Sequence, residues 1–69
     1  MTTYSEKTRR AIAKYGEETC ISAYRYNLQG YGARSVALEC VSGLHTTNQA
    51  DAAINAGAEI VNTPLPLKA

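Results

Sequence analysis

Between Gly30 and Gly57 the chain reads GYGARSVALECVSGLHTTNQADAAINAG, two runs of helical periodicity divided by a glycine. Ala33, Val36, Ala37, Cys40 and Val41 fall at i, i+3, i+4, i+7 and i+8, one face of a helix over 33–41. Ser42-Gly43 stops it, since glycine readily adopts the left-handed conformation that ends a helix. Leu44 is the one apolar residue of the turn and is expected to plug the angle between the two helices. Thr46 and Gln49 form a capping box, in which the hydroxyl accepts from the third amide and the longer side chain reaches back. The next helix is predicted over 47–60, with Ala50, Ala53, Ile54, Gly57 and Val61 facing inward. Glycine inside a helix costs about 1 kcal/mol against alanine. Gly57 therefore either ends the helix early or admits another backbone at close range.

A chain of 69 residues makes one domain with a thin stability margin. It has five tyrosines but no Trp or Phe, so alanine, valine, leucine, isoleucine and tyrosine rings must build the core. Small side chains let helices approach closely, and no useful strand alternation appears. The fold class that follows is all-α: a compact four-helix domain over 1–62, with a helix-turn-helix-like unit at helices 3 and 4. The first helix is predicted from about Tyr4 or Ser5 to Tyr15, capped by Thr3 and Glu6, with Tyr4, Thr8, Ala11, Ile12 and Tyr15 inward. Gly16 ends it, and acidic Glu17 and Glu18 open a second helix over 17–29. Its expected buried stripe is Cys20, Ile21, Tyr24 and Leu28, with Tyr26 outward. Pro64 and Pro66 impose an extended tail over 63–69.

Composition excludes several classes. One histidine and two cysteines twenty positions apart cannot make a zinc site, so no metal or other cofactor is expected. Cys20 and Cys40 read as buried reduced thiols, with a disulfide between facing helices as the alternative. No catalytic residue is expected: Cys40 and His45 lack an orienting partner, and no acid pair suggests hydrolysis. No membrane-length apolar run or signal peptide is present, so the expected compartment is the cytoplasm, without membrane association.

Two binding surfaces stand out. The start of helix 4 presents Thr46, Thr47, Asn48 and Asn55, and such side chains can read adenine edges or the thymine methyl group. Arg34, with Lys7, Arg9, Arg10 and Lys14 of a basic first helix, can meet phosphates. Against this stand a net charge of only +1 and a fourth helix with Asp51 and Glu59 but no Lys or Arg. The second surface is Arg25, Tyr26 and Tyr31, a pairing of types frequent in protein-binding hot spots.

The 30–57 segment resembles the helix-turn-helix of small homeodomain-like DNA-binding proteins of the kind found in phages and prophages. The resemblance implies a small DNA-binding or transcription-accessory protein, with double-stranded DNA as partner. It departs from the family pattern in two respects. If Gly43 is the turn glycine, Glu39 falls where that family usually has a small buried alanine and Gln49 where it has a branched apolar residue; if Ala37 is the small residue, Ala50, Ala53 and Ile54 return to inner positions but the turn is longer. A single module contacts too little DNA for specific binding, so a homodimer is expected. The alternative is a non-enzymatic adaptor or inhibitor that docks on a host or phage protein. The inward placement of Ile54 makes Ile54→Ala cost about 2–5 kcal/mol. A thermal melt unchanged by that substitution would mean that helix 4 is misplaced.

Overall fold

In the computed structural model, which describes residues 4–63, α4 (Thr47–Asn62) is the helix on which the others pack. Ahead of it come α1 (Glu6–Tyr15), α2 (Glu17–Leu28) and α3, which opens as an α turn (Ala33–Ser35) and continues as a π turn (Val36–Cys40). No strand occurs among the described residues, so the domain is a compact all-α fold of four helices. No described helix is long and apolar enough to cross a membrane. The proline-containing tail from 64 onward, expected to be extended, lies outside the described residues, as does Thr3.

The core is largely alanine: Ala11, Ala23, Ala37, Ala50, Ala53 and Ala56, with Cys20, Val36, Leu44 and Ile54. Tyr15, Tyr24 and Tyr26 pack around it, each partly buried. With so little side-chain volume, the helices must come close to fill space at protein density. They come closest at Gly57. A Cβ there would stand 2.1 Å from the Cys20 carbonyl oxygen and 2.7 Å from Tyr24 Cβ. Gly57 thus lies inside α4 and admits the backbone of α2, the second of the two roles open to it.

Several local features follow the sequence pattern. Gly16, at φ 96°, ends α1 by donating to the Ile12 carbonyl at 2.8 Å and begins α2 by accepting from Cys20 N. Leu44 is buried in the core between α3 and α4. Thr46 caps α4, its Oγ1 accepting from Gln49 N at 3.2 Å. Gln49 Oε1 accepts from His45 N at 2.7 Å, one residue further back than the simple capping box requires.

Other expectations are corrected. The α1 cap is Ser5, whose Oγ accepts from Thr8 N; Glu6 is already helical and pairs with Arg10. In α2 the deepest residues are Cys20 and Ala23, while Ile21 and Tyr24 are partly buried and Leu28 is 66% exposed. The crossing at Gly57 involves the middle of α2 and leaves its last residue uncovered. α4 is buried on two sides, by α1 and by α2, so Ala56 joins its core face and Val61 is left exposed. α4 also runs to Asn62, two positions beyond the expected end. In α3 the π turn closes with Val41 N donating to Val36 O at 3.0 Å. The wider turn rotates the residues after Ala37, so Cys40 and Val41 are only partly buried.

Gly57→Ala tests the crossing. Propensity alone favours alanine by about 1 kcal/mol. Overpacking against backbone costs about 1–3 kcal/mol or more, and the obstacle here is a carbonyl that cannot rotate away. The variant is expected to melt well below the wild type or fail to fold; a melt at or above the wild-type temperature contradicts the packing.

Candidate nucleic-acid interface

The outer face of α4 begins with its cap. Thr46, Thr47 and Asn48 are exposed at the N-terminal end, followed by Asp51, Ala52 and Asn55. The Thr46 oxygen is engaged by the cap, but its proton remains free to donate outward. Arg34, at the start of α3, shares a recess of about 170 Å³ with Thr46 and Thr47. The loop 41–46 separates α3 from α4 and is longer than the ~3–4-residue turn of a tight helix-turn-helix. Ala37 is buried and Glu39 exposed, so Ala37 is the small inner residue and the longer turn is the one adopted.

One turn further along α4, a groove of about 260 Å³ runs between α1 and α4. Lys7, Arg10 and Lys14 stand at i, i+3 and i+7 on α1 and line it, opposite Ala52 and Asn55. Asn55 is therefore brought together with Arg10 and Lys14, and Arg34 with Thr46 and Thr47. Asn48 is exposed between the two groups along α4. Arg9 is exposed but lines neither recess. Lys7 belongs to the cationic row and is the better candidate. Arg10 Nη2 meets Glu6 Oε2 at 2.7 Å, and both side chains are largely exposed. Such a surface pair is worth about 0.3–0.5 kcal/mol and exchanges readily for another anion. Lys14 Nζ sits 5.5 Å from the centre of the Tyr15 ring.

Glu59 fixes where this row lies. Its Oε1 accepts from Ser5 Oγ at 2.8 Å and from the buried Thr8 hydroxyl, and its Oε2 accepts from Ser5 N at 2.8 Å. The late part of α4 thus supplies the carboxylate for the N-terminus of α1, where the helix dipole also favours negative charge. Those bonds hold the Glu59 carboxyl below its ordinary range, the Thr8 hydroxyl contributing most, then the Ser5 amide and hydroxyl. One of the two acids of α4 is therefore occupied, and Asp51 is the acid left on the outer face. Nothing local in the sequence announces this, because the partners are 51 and 54 positions apart.

The second expected surface is partly used internally. Tyr26 is half-buried, not outward, and packs edge-on to Tyr31 with ring centres 5.8 Å apart. Asn27 Nδ2 donates to the Tyr31 carbonyl at 2.9 Å, tying the α2–α3 connection together. Arg25 and Tyr31 remain exposed. Both cysteines are free thiols, Cys20 buried and Cys40 only partly so, which corrects the expectation of two buried thiols. Burial pushes the Cys20 thiol pKa up, with nearby Glu17 adding to the effect. Among the described residues, no three His, Cys, Asp or Glu side chains gather as a metal ion requires. Comparison with protein-family models, characterised proteins and solved structures finds no match to this chain.

A carboxyl held low in the native state stabilises the fold in its ionised form. That contribution is complete above the ordinary carboxyl value of 4.5 and is lost as pH falls through the lower native value. Glu59→Gln should therefore lower the melting temperature at pH 7, and the gap to wild type should close as acid protonates Glu59. A gap independent of pH contradicts the ionised clamp.

Proposed function

We propose that this is a small, non-enzymatic DNA-binding or transcription-accessory protein that reads duplex DNA with the N-terminal half of α4. The observation that carries the reading is the flanking of one exposed polar face by cations on both sides. Arg34 shares a recess with Thr46 and Thr47, and Lys7, Arg10 and Lys14 share a groove with Asn55. In this reading Asn48 and Asn55 reach base edges, Thr47 touches a thymine methyl group, and the arginines and lysines hold phosphates. Asp51, on the same face, accepts from the exocyclic amine of cytosine. Of the two acids that the sequence set against this role, Glu59 has its carboxylate turned to Ser5 and Thr8 at the N-terminus of α1, and Asp51 remains on the outer face. The likeness of the 30–57 segment to small homeodomain-like helix-turn-helix proteins supports it in the same direction. Two copies on symmetric half-sites, one helical turn apart, supply the contact area that one module lacks.

The test is a binding titration on mixed-sequence duplex DNA over a range of salt. Affinity should fall with salt, each neutralised phosphate contributing about −0.9 to the double-logarithmic slope. Lys14→Ala should reduce that slope by about 1 without altering base preference. Asn48→Ala should keep the fold and the slope but lose about 1–3 kcal/mol of discrimination at one base pair. Absence of binding even at low salt overturns the reading.

A further inference from the structure

The groove between α1 and α4 has a feature that a duplex does not use. Its rim is cationic, but its floor is apolar: Ala11 and Ala56 are buried there, Ala52 is open to solvent, and the Tyr15 ring closes one end. Phosphates need the rim and gain nothing from the floor. We propose that this groove receives an acidic amphipathic helix from a protein partner. One large apolar side chain of that helix seats over Ala52 and Ala56, and its carboxylates face Lys7, Arg10 and Lys14.

The fit follows from spacing and charge. The three cations stand on one side of α1 over two helical turns, about 10 Å at ~1.5 Å per residue. A helix lying alongside matches them with acids at i, i+4 and i+7 on its own flank and an apolar residue between. The small side chains of α4 leave the hollow that such an anchor fills. Arg10 gives up only its exposed pair with Glu6 to join the contact. Glu59, the acid nearest the far end, stays ionised, but its carboxylate is turned to Ser5 and Thr8. The inference stands on the groove itself and not on the DNA reading. Where both hold, the acidic helix and the duplex compete for the same cations, and the partner acts as an anti-binding factor.

The probe is a fluorescein-labelled synthetic helix, glutamate-rich on one flank with a central leucine, titrated with the intact protein by anisotropy. Saturable binding is expected, weakened about tenfold or more when the probe's leucine is replaced by alanine. Ala52→Leu, which fills the hollow at an exposed position, should weaken it similarly, and a thermal melt confirms that this variant folds. Equal binding of the leucine and alanine probes means attraction by charge alone and overturns the proposal. So does absence of binding. So does a concentration-dependent dimer that Ala52→Leu dissociates, since a second copy then occupies the groove. A duplex titration run in parallel separates the two readings: tight peptide binding with no DNA binding removes only the DNA role, and the reverse removes only this one.

Discussion

The contact between Gly57 and the Cys20 carbonyl is the constraint on which the rest of this small fold depends. A domain with an alanine core gains little from each buried side chain, at about 25 cal/mol per Å² of apolar surface. It compensates by bringing backbones together so that small residues still exclude water. Gly57 permits this between α2 and α4, where any side chain on α4 would collide with the main chain of α2. Once the two helices cross there, Cys20, Ala23, Ala53 and Ile54 are enclosed, with Ile54 the one large side chain among them. The helix-propensity cost of a glycine inside α4 is offset by what its absent Cβ allows.

The second organising interaction is polar and spans nearly the whole chain. Glu59 closes the N-terminus of α1 as a capping carboxylate usually does from within the same helix. Because it comes from α4, the bond also sets how α1 lies along α4, and hence where Lys7, Arg10 and Lys14 stand. Structure and binding surface share this residue: the acid that secures the helix is also withdrawn from the face that faces a ligand. Together, the glycine crossing on one side and the carboxylate on the other hold α4 between α2 and α1. The face of its N-terminal half that carries Thr47, Asn48, Asp51 and Ala52 is left to solvent.

Much of this was legible from local sequence. Helix ends depend on residues within one turn, so Gly16, Gly43, Thr46 and Gln49 announce themselves, and Leu44 stands out as the single apolar residue of its loop. The dual reading of Gly57 was also available, although the sequence does not name Cys20 as its neighbour. What failed depends on tertiary geometry. A one-sided helical template buries Leu28 and Val61 and misses Ala56, because it does not know that α4 has two partners and that α2 crosses at its middle. The π turn shifts Cys40 and Val41 from buried to partly buried, and periodicity assumes α geometry throughout. Of the candidate site, Thr46, Thr47 and Arg34 gather as one group, and Asn55, Arg10 and Lys14 as another. Arg9 does not join them, and Lys7 does. The cationic row was visible as a basic helix face; its position beside Asn55 was not, since it is set by Glu59 from 51 and 54 residues away.

The most direct measurement of the central claim is an NMR nuclear Overhauser spectrum of the folded protein. The account predicts strong cross-peaks between the Gly57 α-protons and the Tyr24 β-protons, which require α4 to lie directly against α2 at this position. Their absence in a spectrum that otherwise shows α2 and α4 helical would contradict it, because the helices would then be held apart by side chains rather than joined at the glycine.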